Sequence, residues 1–333
     1  MDRKTLSSRH EFLFLYDIKM GNPNGDPDEN RPRVLPDGTH YVTDVRLKRF
    51  VRDFMKARGE DILVDNIEGR TTNLTGRVVD YLQKNKQMEA NGEELVEILL
   101  GAFIDARLFG SSFAFKAEEV KGESKRKADW KPIPKTMTGA VQLNMGEVLH
   151  KAEEVDIHGT SIFASAQEKT QGTFTTYFGL RYALIGFSGV ANEHSAEISK
   201  MTDEDYKYLL KAMWHGVRTS GNTRTKVGQI PHLLIDIKYK KGEEFQLGRL
   251  HDYVKMAATT DKEEKEWASP EDYKLDLSLL IERLEEQMDR IEMVRWAKSP
   301  DIQFAEDLPP DWKIFDVESL PNKNGTRETS LEG

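Results

Sequence analysis

Residues Phe12–Met20 (FLFLYDIKM) constrain the fold more than any other stretch. A strand with one face in water alternates apolar and polar side chains. Here Phe12, Leu13, Phe14, Leu15, Tyr16 and Ile18 occupy both alternating faces. Such a strand belongs in the middle of a sheet that is covered on both sides. A chain of 333 residues can supply both layers, as one large domain with insertions or as two domains.

The elements around this strand set the class. It ends in a loop dense in Gly, Pro, Asn and Asp, GNPNGDPDENRPRVLPDG. Thr43 is then placed as a helix N-cap, with Asp44 favoured in the first turn by the helix dipole. In the helix that follows, Leu47, Phe50, Val51, Phe54 and Met55 share one face. Arg46, Arg49, Arg52 and Lys56 share the opposite face, with Lys48 beside Arg52. Helical character recurs from Glu93 to about Ala106, and the charged stretch Lys116–Lys135 reads as an exposed excursion. Strand character returns around Val141–Leu149, in LRYALIGFSGV and in Pro231–Tyr239. The Gly-, Ser- and Thr-rich stretch His158–Gly179 suits a projecting hairpin. Asp203–Val217 predicts a helix, and residues 273–297 predict one long helix with Leu277, Leu280, Ile281, Leu284, Met288, Ile291 and Val294 as its buried stripe. The tail after Pro309 is expected to fray. The order β–α–(insertions)–β–β–α–β predicts an α+β fold with a ferredoxin-like or RRM-like sheet carrying excursions. No repeat at periods of 20–50 residues is evident.

Charge is unevenly spread. The chain has 48 basic and 57 acidic residues, a net of −9, which by itself argues against a nucleic-acid partner. Residues 241–333 hold 13 basic and 23 acidic residues, which leaves 35 and 34 in residues 1–240. The acidic excess therefore lies in the last third. Residues 31–58 carry eight basic side chains (Arg31, Arg33, Arg46, Lys48, Arg49, Arg52, Lys56, Arg58) against three acidic ones. The body is neutral overall and locally basic.

Several chemistries are excluded. The chain has no cysteine, so disulfides, thiolate metal sites and thiol catalysis are out. HExxH, GxSxG and the GxxxxGK[ST] phosphate loop are missing, and the eight histidines show no metal-ligand spacing, so neither a metal nor a cofactor is expected. No apolar run reaches the length of a membrane span and the N-terminus does not read as a signal peptide, so a cytoplasmic protein is expected.

What remains points to phosphates. Arg46, Arg49, Arg52 and Lys56 have few acidic neighbours at helical spacing, with Asp53 the main exception, and such a row suits a track of phosphates. The alternative is a solvated charged face. RTSGNTRTKVGQ adds Arg218, Arg224 and Lys226 without an acid, and Gly221 and Gly228 would let its backbone approach a ligand. Asn222, Thr223 and Thr225 offer hydrogen bonds to phosphate or ribose. In GNPNGDPDEN, Asn22 and Asn24 admit a phosphate-binding reading or a loop-shaping one. Asp26 and Asp28 admit an acidic catalytic reading, and no register fits an EF-hand loop. Phe163 and Phe174 are either packing partners within the hairpin or an apolar wedge for bases.

Taken together, YDIKMGNPNGDPDENRPRV, THYVTDVRLKRFVRDF, DARLFG, TGAVQLNMGEVLHKAE, GLRYALIGFSGV and GNTRTKVGQIPHLLIDIKY resemble the backbone subunits of type I CRISPR-associated Cascade complexes. This is the Cas-seven superfamily, and the match is to its subtype I-B, Csh-two-like branch, over roughly residues 10–240. The resemblance implies a modified RRM palm from residues 1–58 and 136–333, with a helical fingers insertion at 59–135 and a β-hairpin thumb at about 153–176.

It also implies a non-catalytic protein that polymerises head to tail along CRISPR RNA. The guide is then offered to a target DNA strand, beside a handle-binding subunit, a large subunit, a small subunit and a processing endonuclease. On this reading Asn22, Asn24, Arg46, Lys48, Arg49, Arg52, Gln142, Asn144, Gly221, Asn222, Arg224, Thr225 and Lys226 hold the guide. Phe163 or Phe174 is the thumb wedge, and Lys125, Arg126 and Lys127 touch target DNA. The competing reading is a type III-like subunit that cuts target RNA with a metal at Asp26 and Asp28.

Overall fold

A computed structural model describes residues 4–67, 69–90, 92–112, 136–160, 174–221 and 223–320. In chain order the elements begin with β1 (His10–Gly21), β2 (Tyr41–Val42), α1 (Asp44–Ala57), α2 (Leu74–Lys84), α3 (Gly92–Ala102) and α4 (Ile104–Phe109). The strands β3 (Gly110–Ser112), β4 (Thr136–Thr138), β5 (Val141–Leu143) and β6 (Gly146–Val148) are short. Then come β7 (Glu154–Thr160), β8 (Phe174–Ala191), α5 (Glu193–Ser199), α6 (Asp203–Thr219) and β9 (Ile230–Tyr239). The chain closes with β10 (Lys255–Ala258), β11 (Tyr273–Asp276), α7 (Ser278–Glu285), β12 (Ile291–Lys298) and β13 (Lys313–Ile314).

β1 sits in the middle of the main sheet, as its two apolar faces require. The order is β13-β12-β9-β1-β8-β6-β2, and β5 and β7 also pair with β8. β1 is antiparallel to both neighbours. His10 lies opposite Ala191 and Gly21 opposite Leu180 on one side, and Asp17 lies opposite Ile230 on the other.

Each face has its own layer. Phe12, Phe14, Tyr16 and Ile18 pack under α1 and α6, where the predicted stripe Leu47, Phe50, Val51, Phe54 and Met55 is buried. The two helices touch closely, since a Cβ on Gly216 would fall 2.7 Å from the Phe50 carbonyl oxygen. The opposite face, with Leu13, Leu15, Tyr182, Leu184 and Ile235, is sealed by Leu250, Trp267, Tyr273, Leu275 and Leu280. The acidic last third therefore turns an apolar side inward and is the second layer of the sheet. Each large side chain buried there contributes about 1.5–3 kcal/mol. A third, smaller core joins Val78, Leu82, Leu95, Leu99, Phe103 and Met137.

α4 fastens the segment carrying α2 and α3 to the helices above the sheet. The buried Asp105 carboxylate accepts from Arg52 Nε at 2.9 Å and from the backbone N–H groups of Leu63 and Val64. Two residues on, Arg107 makes a two-pronged pair with Asp205 of α6, at 2.9 and 2.7 Å.

Two sequence expectations fail. Residues 273–297 are not one helix: β11, α7 and β12 divide them, with a turn at 286–290, and Met288 is exposed. The apolar spacing misleads because β12 buries Ile291, Val294 and Ala297, three residues apart, around a register shift near its start. The tail does not fray directly after Pro309: Trp312, Phe315 and Val317 are buried, and β13 pairs in parallel with β12. Strand character at 141–149 resolves into β5 and β6. Among the described residues no helix is long and apolar enough to cross a membrane.

Candidate nucleic-acid interface

The end of β1 and the loop before β9 close on each other. Asn22 N–H donates to the Thr225 carbonyl at 2.8 Å. Gly21 makes this approach possible, since a Cβ there would fall 2.6 Å from the Thr225 oxygen. The Lys226 ammonium returns the contact, donating to the Asn22 carbonyl at 3.2 Å. Gly221 serves the same turn from the other side: its Cβ would lie 2.5 Å from the Lys226 carbonyl oxygen.

The asparagines and aspartates of the first loop act largely within it. Asn24 Oδ1 accepts from both the backbone N–H and the hydroxyl of Thr43, at 2.8 Å each, and so ties the loop to the start of α1. Thr43 does occupy the N-cap position, but its side chain caps no helix N–H. Asp26 accepts from the backbone N–H groups of Asp28, Glu29, Asn30 and Arg31 at 2.8–3.2 Å. These bonds hold its carboxyl below the usual range. A carboxylate committed to four backbone donors is a loop staple. Among the described residues no group of three or more His, Asp or Glu side chains is placed to hold a metal ion.

The row of unpaired cations on α1 is corrected. Lys48 pairs with Asp44 at 2.8 Å, Arg49 with Asp53 at 2.7 Å, Arg52 with the buried Asp105, and Lys56 with Asp65. Only Asp44 and Asp53 lie near these cations in sequence; Asp65 and Asp105 reach α1 through the fold. The Arg52 side chain is 11% exposed and lies over the Phe109 ring, which leaves it little surface for a ligand.

Arg46 differs. Its guanidinium stacks over Phe50 at 4.2 Å, and its Nε is buried without a partner among the described residues. Burial lowers its pKa, and it faces Tyr16, whose hydroxyl also lacks a partner and whose pKa burial raises. Burial, and then the charge of Arg46, push Lys226 down to about 8. Among the described residues neither Arg46 nor Lys226 has a carboxylate at ion-pair distance. Asp53 acts on Arg46 only from beyond ion-pair distance, and two half-buried cations so placed attract an anion into their shared environment.

The remaining predicted residues are dispersed. Thr225 contributes its carbonyl, as above. Arg224 is exposed, donates to the Tyr177 hydroxyl at 2.6 Å and lies over that ring, beside the β7–β8 pair. Gln142 lies opposite Val190 and Asn144 bonds the Ser188 carbonyl. Leu180, opposite Gly21, is ten residues from Val190 along β8. At about 3.3 Å per residue, that places Gln142 roughly 30 Å from the junction. Phe174 begins β8. Phe163, Asn222, Lys125, Arg126 and Lys127 lie outside the described residues.

Sequence reasoning did not single out Tyr16, Gln229 or Asp105. Tyr16 is hidden in an apolar strand, where its hydroxyl was the available signal. Gln229 closes the glycine-punctuated loop, 2% exposed, donating to the Lys226 carbonyl at 2.9 Å.

The site is thus a cationic junction at the end of the central strand of a doubly covered, mixed sheet. The model of the family "CRISPR-associated protein Cas7" matches residues 8–278. A CRISPR-associated protein Cas7 of Haloferax volcanii is 32% identical over 297 residues, which span 86% of each chain. The chain belongs to the Cas7 family. Two solved chains share its fold. One, from a "CRISPR RNA-guided surveillance complex, pre-nicking", has a TM-score of 0.57 at 15% identity and covers 93% of this chain and 96% of its own. Another, from a "CRISPR RNA-guided surveillance complex", has a TM-score of 0.51 at 14% identity, covering 92% and 94%.

Proposed function

We propose that this protein is the non-catalytic guide-binding backbone subunit of a type I, I-B-like, Cascade surveillance complex. Copies line up head to tail along one CRISPR RNA and present it to a target DNA strand in antiviral defence. The observation that carries this reading is Arg46 and Lys226, two half-buried cations with no carboxylate at ion-pair distance among the described residues, in a chain of the Cas7 family. A backbone subunit must accept any guide sequence, so contacts to phosphate and ribose suit it and base-edge contacts do not. Sequence recognition then falls to base pairing with the target.

The sheet supports an RRM-like palm. Its elements β1-α1-β6-β8-α6-β9 follow the β-α-β-β-α-β order of such folds. An RRM stacks bases on its open sheet face. Here that face is sealed, with Leu13, Leu15, Leu184 and Ile235 fully buried. The guide therefore runs past the strand ends, across the junction of Asn22, Arg46 and Lys226. Residues 59–135 serve as fingers. Residues 153–176, including Phe163 and Phe174, serve as a thumb whose base is the β7–β8 pair. A head-to-tail contact is heterologous and does not close, which gives a filament whose length the RNA sets. The other Cascade subunits cap its ends and flank it. The test is guide loading: R46E/K226E should fail to load CRISPR RNA while still folding, and unimpaired loading would contradict the assignment.

A further inference from the structure

Four buried side-chain atoms without a partner among the described residues belong to residues around one lysine: Tyr16 OH, Asn22 Oδ1, Arg46 Nε and Gln229 Oε1. Lys226 links them. Its ammonium donates to the Asn22 carbonyl and its own carbonyl accepts from Gln229 Nε2. Arg46, which faces Tyr16, is the charge that acts on it. Buried polar atoms without partners are few in folded proteins, so a cluster of them calls for a cause.

The two amides are oriented by their surroundings. Asn22 Nδ2 donates to the Asn30 carbonyl at 2.7 Å, and Gln229 Nε2 donates to the Lys226 carbonyl. Their oxygens are therefore the unpaired ends. The residues linked through Lys226 thus supply two acceptors and three donors: the Lys226 ammonium, Arg46 Nε–H and the Tyr16 hydroxyl. A phosphate alone satisfies donors only. A ribose phosphate satisfies both kinds, because its phosphate oxygens accept and its 2′-hydroxyl also donates.

We infer that this cluster distinguishes ribose from deoxyribose: the Gln229 amide oxygen accepts the single 2′-hydroxyl proton of the nucleotide whose phosphate lies between Arg46 and Lys226. The inference rests on the guide-binding reading and adds a selectivity to it. Lys226 is the flexible member of the cluster, and its move from the Asn22 carbonyl onto a phosphate opens the way to both amides. DNA of the same sequence offers the phosphate but leaves the Gln229 oxygen unpaired. A site built to receive a hydroxyl rejects the analogue that lacks it.

The test uses the full chain and three probes of one sequence: RNA, 2′-fluoro RNA and DNA. Fluorine keeps the RNA-like sugar pucker but cannot donate. RNA should bind about tenfold more tightly than 2′-fluoro RNA, the effect of one well-placed hydrogen bond to a buried acceptor. Gln229→Leu, checked by thermal melting, should bring RNA down towards the 2′-fluoro level. Equal binding of RNA and 2′-fluoro RNA by the unaltered protein would overturn the inference and leave guide binding standing. That is also the result expected if a buried water satisfies the four atoms. Binding of none of the probes would overturn the guide-binding reading, and the inference with it.

Discussion

Lys226 donates its ammonium to the Asn22 carbonyl at 3.2 Å, across 204 residues of sequence. The bond closes the loop after β1 on the loop before β9. It also brings a second cation beside Arg46, where no carboxylate answers it among the described residues.

RNA affinity should depend on pH through Lys226, which burial and Arg46 push down to about 8. Only the protonated amine attracts a phosphate, and a bound phosphate raises its pKa. Affinity should therefore be full below about pH 8 and decline above it, measured by fluorescence anisotropy between pH 7 and pH 9.5. Lys226→Arg should bind with a flat profile. Folding stability has the opposite sign: the native lysine sheds its proton before the unfolded one, so stability should rise with pH from about 8 towards the ordinary lysine value. A wild-type binding curve that stays flat to pH 9.5 counts against this.

Arg46 and Arg52 should behave differently despite sharing a helix. Arg52→Gln leaves the buried Asp105 without its cation, so a loss of about 3 kcal/mol is expected in urea unfolding. Arg46→Gln should change stability little. It should weaken RNA binding alike for all sequences and reduce the salt slope by about one. If Arg52→Gln is stable and specifically defective in RNA binding, the roles have been exchanged.

Asp236, on the interior strand β9, ties β1, β12 and α6 together. It accepts from Tyr206 OH at 2.6 Å and from Arg295 Nε at 2.9 Å, and meets His10 Nδ1 at 2.9 Å. Burial works to raise its pKa, but His10 and Arg295 override this and hold it well below the usual range. Its contribution is therefore present above the unfolded carboxylate value and is lost only as pH falls below it. Asp236→Asn should cost about 3–5 kcal/mol at neutral pH. An unfolding midpoint equal to that of the wild type would show that the network contributes nothing.

Gly21 is required by the close approach of the two loops. Gly21→Ala puts a methyl 2.6 Å from the Thr225 oxygen and 2.7 Å from Ile18 Cδ1. Overpacking of this kind costs about 1–3 kcal/mol. RNA affinity should fall with it, because the Asn22–Thr225 bond sets the position of Lys226. Unchanged affinity would separate the loop contact from binding.

Much of the architecture was legible in the sequence, because it rests on local pattern. The two apolar faces of Phe12–Ile18 required a covered strand, and the α1 stripe and α6 were plain at helical spacing. The errors arose where tertiary context sets the pattern. Ile291, Val294 and Ala297 imitate a helix because an irregular strand buries every third residue. Trp312, Phe315 and Val317 gave no periodic signal for a segment that packs as single anchors. The cationic row looked unpaired because Asp65 and Asp105, which answer Lys56 and Arg52, are distant or reach α1 only through the fold. Lys226 was legible as a basic residue in a glycine-punctuated loop, but its pairing with Arg46 was not, since nothing in sequence brings residue 226 to residue 46.

The central claim is that the protein assembles along RNA, and native mass spectrometry of the purified chain with CRISPR RNAs of graded length tests it most directly. The expected result is a copy number that rises in steps with RNA length. One protein per RNA at every length would contradict it.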